Sequence, residues 1–133
     1  MSTRCQVILK DKWGHELWFY RHSDGYPEGV MPSLEQFLGW LKKGLIRDNV
    51  EQAGGWLILL GAKEYGSNHS YAKGKWVEIP KSLDELFAPG KDNSGMGWKC
   101  GAYEPCSHHE KHGDIEYLYT IDLEKQTITT ETA

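Results

Sequence analysis

Five residues of the types that bind zinc occur close together near the C-terminal end of the chain: Cys100, Cys106, His108, His109 and His112. Zinc takes four thiolate or imidazole ligands in a tetrahedron. The ligands we expect at such a site are both cysteines and two of the three histidines. The spacing differs from that of a zinc-finger knuckle. The alternative is a surface loop with solvated histidines and two cysteines that stay reduced or form a disulfide on oxidation.

A second group of polar side chains surrounds the strongest turn signal, the sequence RHSDGYPEG at 21–29. The candidate binding residues are Arg21, His22, Asp24, Tyr26 and Glu28. His22 and Asp24 have the chemistry of a base and its helper, and Asp24 and Glu28 that of ligands for a hard cation. The structural interpretation is that Asp24 binds its own backbone and Arg21 pairs with Glu28. It is favoured, because no nucleophile or phosphate-binding loop accompanies these residues.

Aromatic residues form the third set, with six Trp and seven Tyr in the chain. Trp18 and Tyr20 share one face of a predicted strand, and Leu118 adds apolar area on the same side of the sheet. We expect this face to be partly open. Tryptophan, tyrosine and arginine dominate protein interfaces, so the face is a candidate partner surface. The alternative is an ordinary set of core aromatics.

Periodicity supplies the elements that must position these groups. Alternating apolar residues predict strands at 5–10, 16–22, 114–122 and 127–131. Apolar residues at helical spacing predict two helices between them. The first has Pro32 in its first turn and the capping-box pair Ser33 and Gln36, and the second begins near Asp48. A short strand at 76–79 and a short helix at 82–87 follow.

Strands at both ends with helices between them are typical of an α+β fold. We predict a single domain over residues 1–133, with a mainly antiparallel sheet of four or five strands packed on two central helices. An irregular loop rich in Gly, Cys and His occupies about 89–113. Loops of this length in compact domains are usually functional, pinned or disordered.

The composition of the chain and the motifs it lacks argue against several classes of function. With 15 Lys+Arg against 19 Asp+Glu, the net charge is −4, which argues against a nucleic-acid binder that acts through bulk charge. No apolar run approaches the length of a membrane span. The first residues lack the apolar region of a signal peptide, so we expect a cytoplasmic protein. No Walker loop, dinucleotide-binding glycine motif, nucleophile elbow or zinc-protease motif occurs.

Three segments together resemble a group of small uncharacterised phage and prophage proteins. They are STR at 2–4, YRHSDGYPEG at 20–29 and HGDIEYLY at 112–119. The resemblance spans both sheet-forming ends of the chain, and RHSDGYPEG is its most specific part. It implies a mobile-element origin and a bacterial cytoplasm. It supplies no catalytic residue, and the zinc hypothesis rests on this sequence alone.

The leading hypothesis is a non-enzymatic protein that binds a host protein or itself, with inhibition of a host defence system as one form of it. One alternative is a small metal-dependent hydrolase or nucleotide-binding enzyme that uses the 21–29 turn or the Cys/His loop. Another is a scaffold domain stapled by structural zinc.

Overall fold

Within the described residues, the four alternating segments form strands of a five-stranded sheet, and its fifth strand, at 104–105, lies in the predicted irregular loop. The computed structural model describes residues 3–66 and 103–133. Its elements are β1 (Cys5–Lys10), β2 (Glu16–Arg21), α1 (Pro27–Lys42), α2 (Val50–Gly66), β3 (Glu104–Pro105), β4 (Tyr117–Asp122) and β5 (Thr127–Thr132). The strand order is β3-β2-β1-β4-β5. This confirms the predicted α+β class. The predicted strand at 76–79, the predicted helix at 82–87 and most of the predicted loop at 89–113 lie outside the described residues.

The centre of the sheet departs from simple antiparallel pairing. β1 runs parallel to β4, with Val7 opposite Tyr119, whereas the other three strand pairs are antiparallel. Parallel neighbours need a crossover connection, which places the intervening helices against the sheet. The two helices pack on the face formed by Cys5, Val7 and Leu9. That face, with the buried sides of α1 and α2, makes the main hydrophobic core.

α1 begins earlier than the capping pattern predicts. Its first residue is Pro27, and Tyr26 precedes it with an extended backbone and no side-chain cap. Proline suits this position because its missing N–H has no helical partner there and its φ already fits a helix. Pro32 therefore lies inside the helix. Ser33 does not cap it: its buried hydroxyl donates to the Val30 carbonyl and bonds with Tyr103.

A tight approach of backbone to backbone fixes the start of α1. Asp24 has a left-handed backbone with φ 56°, a conformation that aspartate tolerates better than most residues. The next residue, Gly25, donates its N–H to the Thr3 carbonyl at 2.9 Å, and the Tyr119 hydroxyl donates to the Gly25 carbonyl at 2.7 Å. A Cβ on Gly29 would lie 2.5 Å from the Asp24 carbonyl oxygen. Through these contacts the turn at 24–25 joins the start of α1 to the sheet.

A buried carboxylate joins the β1–β2 turn to α2. The Asp11 side chain is 0% exposed. Its Oδ1 accepts the N–H groups of Trp13 and His15, and its Oδ2 accepts the N–H of Val50 at 3.1 Å. Burial alone would raise the pKa of Asp11, but these three hydrogen bonds outweigh it and hold the pKa below its ordinary value. Asp11 therefore caps a helix from a distant turn.

The two α1 glycines provide a matched test of this packing. We expect Gly29→Ala to lower the free energy of unfolding by about 1–3 kcal/mol, because its Cβ would overlap the Asp24 backbone. Gly39→Ala, where a Cβ would meet nothing within 4 Å, should raise stability by roughly 0.5–1 kcal/mol. Urea denaturation measures both. Equal effects of the two substitutions would contradict the close approach at Gly29.

Candidate functional site

Residues 106–114, called here the histidine segment, lie across the sheet face opposite the helices. Side chains alternate along strands, so this second face carries Gln6, Ile8, Trp18, Tyr20 and Leu118. The segment starts at the edge of β2, where the Cys106 N–H donates to the Trp18 carbonyl at 2.8 Å. The face is therefore less open than we expected: Ile8 and Leu118 are buried, and Trp18 and Tyr20 are half-buried.

One buried amide holds the middle of the histidine segment. Gln6 is 0% exposed although it lies on the second face. Its Oε1 accepts the N–H of His112 at 2.9 Å, and its Nε2 donates to the Glu110 carbonyl at 3.1 Å. The same Nε2 lies 3.6 Å from the Cys106 sulfur. Both ends of the amide are therefore bonded to the segment, which satisfies a polar group that would otherwise be costly to bury.

Two ring contacts fix the histidine segment further. His109 stacks on Trp18 with ring centroids 6.4 Å apart and an interplanar angle of 12°. His112 stacks on Tyr20 at 4.7 Å and 21°. Two predicted sets of residues, the aromatic face and the histidines, are thus parts of one arrangement. Two of the predicted zinc ligands have their imidazoles against aromatic rings.

A polar network closes the end of the histidine segment. The Tyr20 hydroxyl donates to Asp114 Oδ2 at 2.8 Å, and Arg4 Nε lies 3.3 Å from the same oxygen. Arg4 Nε also lies 3.4 Å from His22 Nδ1. Burial, followed by the Asp114 hydrogen bond and charge, raises the pKa of Tyr20 to about 12. The phenol therefore stays protonated at neutral pH and serves as a donor rather than as a base.

The structure places the predicted turn residues in several separate contacts. Arg21 is buried, donates from Nε to the Ser23 carbonyl at 2.7 Å and lies over the Tyr103 ring at 5.1 Å. Asp24 Oδ1 lies 3.5 Å from the Tyr26 hydroxyl. His22 and Asp24 thus have different partners. Glu28 is exposed in the first turn of α1, where a negative charge suits the helix dipole.

The zinc hypothesis for the Cys/His stretch stays a prediction. Cys100 lies outside the described residues. In the part of the chain that is described, Cys106, His108, His109 and His112 form no group of three whose ligand atoms all lie within 4.8 Å of one another. Burial raises the pKa of the Cys106 thiol, the nearby Glu104 charge adds to the rise, and the Gln6 hydrogen bond opposes it. A protonated thiol is a poor nucleophile.

A different group of potential metal ligands occurs at the opposite end of β1. Asp11, His15 and Glu51 bring one imidazole nitrogen and two carboxylates within 4.8 Å of one another. Sequence reasoning missed this group, because the β1–β2 turn and the start of α2 meet only through the tertiary fold. It also missed Gln6, Arg4 and Asp114. The signal for Gln6 was a lone polar residue inside an apolar strand.

Comparison with protein-family models, with curated protein sequences and with solved structures finds no significant match to this chain. Among the described residues, no helix is both long and apolar enough to cross a bilayer.

Replacing Gln6 tests how the histidine segment is held. In Gln6→Leu the His112 amide loses its acceptor, and its hydrogen-exchange protection should fall about fivefold to tenfold, as expected for loss of one net hydrogen bond. Ile8→Val, on the same face, is the control and should leave that amide unchanged. Unaltered protection of His112 in Gln6→Leu would show that the segment is held by other contacts.

Tyr20 should make stability depend on alkaline pH. Its pKa is raised from 10 to about 12, so the folded state binds the proton more tightly than the unfolded chain does. The associated stabilisation is complete below about pH 10 and is lost as the pH rises towards 12. Urea unfolding at pH 9 and pH 11 should therefore show a smaller loss in Tyr20→Phe than in the unaltered protein. Equal losses in both proteins would contradict the assignment.

Proposed function

We propose that this chain is a non-enzymatic binding protein that recognises another protein through the exposed side of the histidine segment. The supporting observation is that an exposed segment is bonded to the sheet beneath it by a buried amide, two ring stacks and the Asp114 network. Residues 107–114 are all exposed. Binding loops on rigid scaffolds are a common site of function, and a loop ordered in advance loses less entropy on binding.

The chemistry of the exposed side indicates a polar protein surface as the partner. Its open concavity is lined by His108, Glu110, Lys111, His112 and Asp114. The anionic Glu110 and Asp114 and the cationic Lys111 occur together there, which favours a partner that offers both charge signs. A polyanion such as nucleic acid suits it less well, since the whole chain carries a net charge of −4.

Two described groups that could act as a base or a nucleophile are held in their protonated form. Tyr20 and Cys106 have raised pKa values, and Arg4 and Asp114 form an ion pair at 3.3 Å. The resemblance to phage and prophage proteins supports a bacterial host protein as the partner, with a component of a defence system as one such target. Self-association through the same surface is the other form of the proposal.

Affinity capture from a bacterial host lysate tests the proposal with matched variants. The double variant His108→Ala, Lys111→Ala alters exposed side chains of the histidine segment. The control, Glu124→Ala with Lys125→Ala, alters exposed side chains of the β4–β5 turn. We expect the unaltered protein to bind one specific partner or, by light scattering, to form a defined oligomer. The control should keep this affinity. The segment variant should bind at least about tenfold more weakly, equivalent to about 1.4 kcal/mol.

Three results would contradict the proposal. The first is a strictly monomeric protein that captures no specific partner. The second is a partner or oligomer bound equally by the segment variant and the control. The third is turnover of nucleotides or phosphodiesters by the purified protein with added Zn²⁺, Mn²⁺ or Mg²⁺, which would favour the alternative of a metal-dependent hydrolase.

A further inference from the structure

The β1–β2 turn and the first turn of α2 bring three potential metal ligands together. His15 Nδ1 lies 3.7 Å from Asp11 Oδ2 and 3.9 Å from Glu51 Oε1. The proposed binding function uses none of these side chains.

The separations are close to those of a coordinated ion. Zinc binds imidazole nitrogen and carboxylate oxygen at about 2.0–2.2 Å, so two ligand atoms in a tetrahedron lie ~3.4 Å apart. The observed 3.7 Å and 3.9 Å exceed this by a few tenths of an ångström. His15 and Glu51 are 61% and 65% exposed, so small rotations of their side chains can close that gap.

Hydrogen bonds from Trp13, Val50 and Asn49, which lie outside the group, and from the backbone of His15 orient both carboxylates. Asp11 Oδ1 accepts two backbone N–H groups, from Trp13 and His15, and Oδ2 is left with the Val50 N–H and the approach to His15. Glu51 Oε2 accepts from Asn49 Nδ2 at 2.9 Å, while Oε1 is the atom nearest His15. Partners of this kind fix ligand orientation in metal sites and are a recognisable part of their design.

The local charge also favours a cation. Asp11 and Glu51 supply two negative charges. The neighbouring Lys12 pairs with Asp48 at 3.6 Å, and its ammonium lies over the Trp13 ring at 4.7 Å. Its charge is therefore compensated by a third carboxylate. Without a metal ion, a protonated His15 would bridge the two carboxylates as an ion pair, and this is the competing explanation for the geometry.

We propose that Asp11, His15 and Glu51 bind one divalent first-row transition metal ion, with Zn²⁺ bound more tightly than Mn²⁺ and Mg²⁺ bound negligibly. One nitrogen and two oxygen donors suit zinc, and ligands of this kind bind Zn²⁺ more tightly than Mn²⁺. Three protein ligands leave at least one position for water. The ion would link the β1–β2 turn to α2, which Asp11 already joins through Val50.

Zinc titration followed by amide NMR tests the site directly. The amides of Trp13, His15 and Val50 all donate to Asp11, so their resonances should shift together and saturate with one ion. Glu51→Gln and His15→Gln should each raise the Kd about tenfold or more. Glu35→Gln, an exposed glutamate of α1, is the matched control and should keep the original Kd. Asp11 is left unaltered, because its loss would also uncap α2.

Thermal unfolding gives a second readout that needs no activity. Saturating Zn²⁺ should raise the Tm by several degrees in the unaltered protein and in Glu35→Gln, and by much less in Glu51→Gln, because only an ion bound to the folded state stabilises it. The proposal is overturned if millimolar Zn²⁺ leaves the three amides unshifted. It is also overturned if the ligand variants keep the original Kd, or if the shifts are confined to residues 106–112. None of these results bears on partner capture by the histidine segment.

Discussion

The parallel pairing of β1 with β4 is the constraint on which the rest of the structure depends. β1 is bonded on both sides, antiparallel to β2 and parallel to β4. Because parallel neighbours cannot be joined by a tight turn, the chain from β1 to β4 takes a long path that includes β2, both helices and β3. α1 and α2 lie on that path and cover the face of Cys5, Val7 and Leu9. The opposite face is covered instead by the histidine segment.

Gln6 shows how a strand residue can determine the form of a surface loop. A buried amide without partners costs about 1–3 kcal/mol, and Gln6 is fully buried beneath the histidine segment, which supplies the partners of its amide. The segment in turn has a fixed course because Gln6 bonds to both Glu110 and His112. The burial of Gln6 and the course of the histidine segment therefore depend on the same hydrogen bonds. An exposed segment is thus bonded to the sheet at several points without regular secondary structure of its own.

Local patterns in the sequence predicted the strands and helices that depend on residues close together in the chain. Alternation in residues 5–10 and 16–22 gave β1 and β2 with their correct faces, and helical spacing gave the cores of α1 and α2. The start of α1 was predicted wrongly, because Ser33 has the spacing of a cap but is used to bond Val30 and Tyr103. The contact of Gln6 with residues 110–112 and that of Asp11 with Val50 join distant segments, and no periodicity encodes them.

The two proposed sites lie at opposite ends of the central strand, so they can be judged separately. The Arg4–Asp114 pair lies just before β1, and Asp11 follows its last residue. A strand rises about 3.3 Å per residue, which places them on the order of 20 Å apart. β1 is hydrogen-bonded along its whole length to two neighbours, and the structure shows it in one arrangement. Coupling between distant sites requires an element with two discrete arrangements. If a partner binds at the histidine segment, its affinity should therefore not depend on whether a metal ion occupies the Asp11 turn. A chelator should remove the ion from the turn and leave partner binding unchanged.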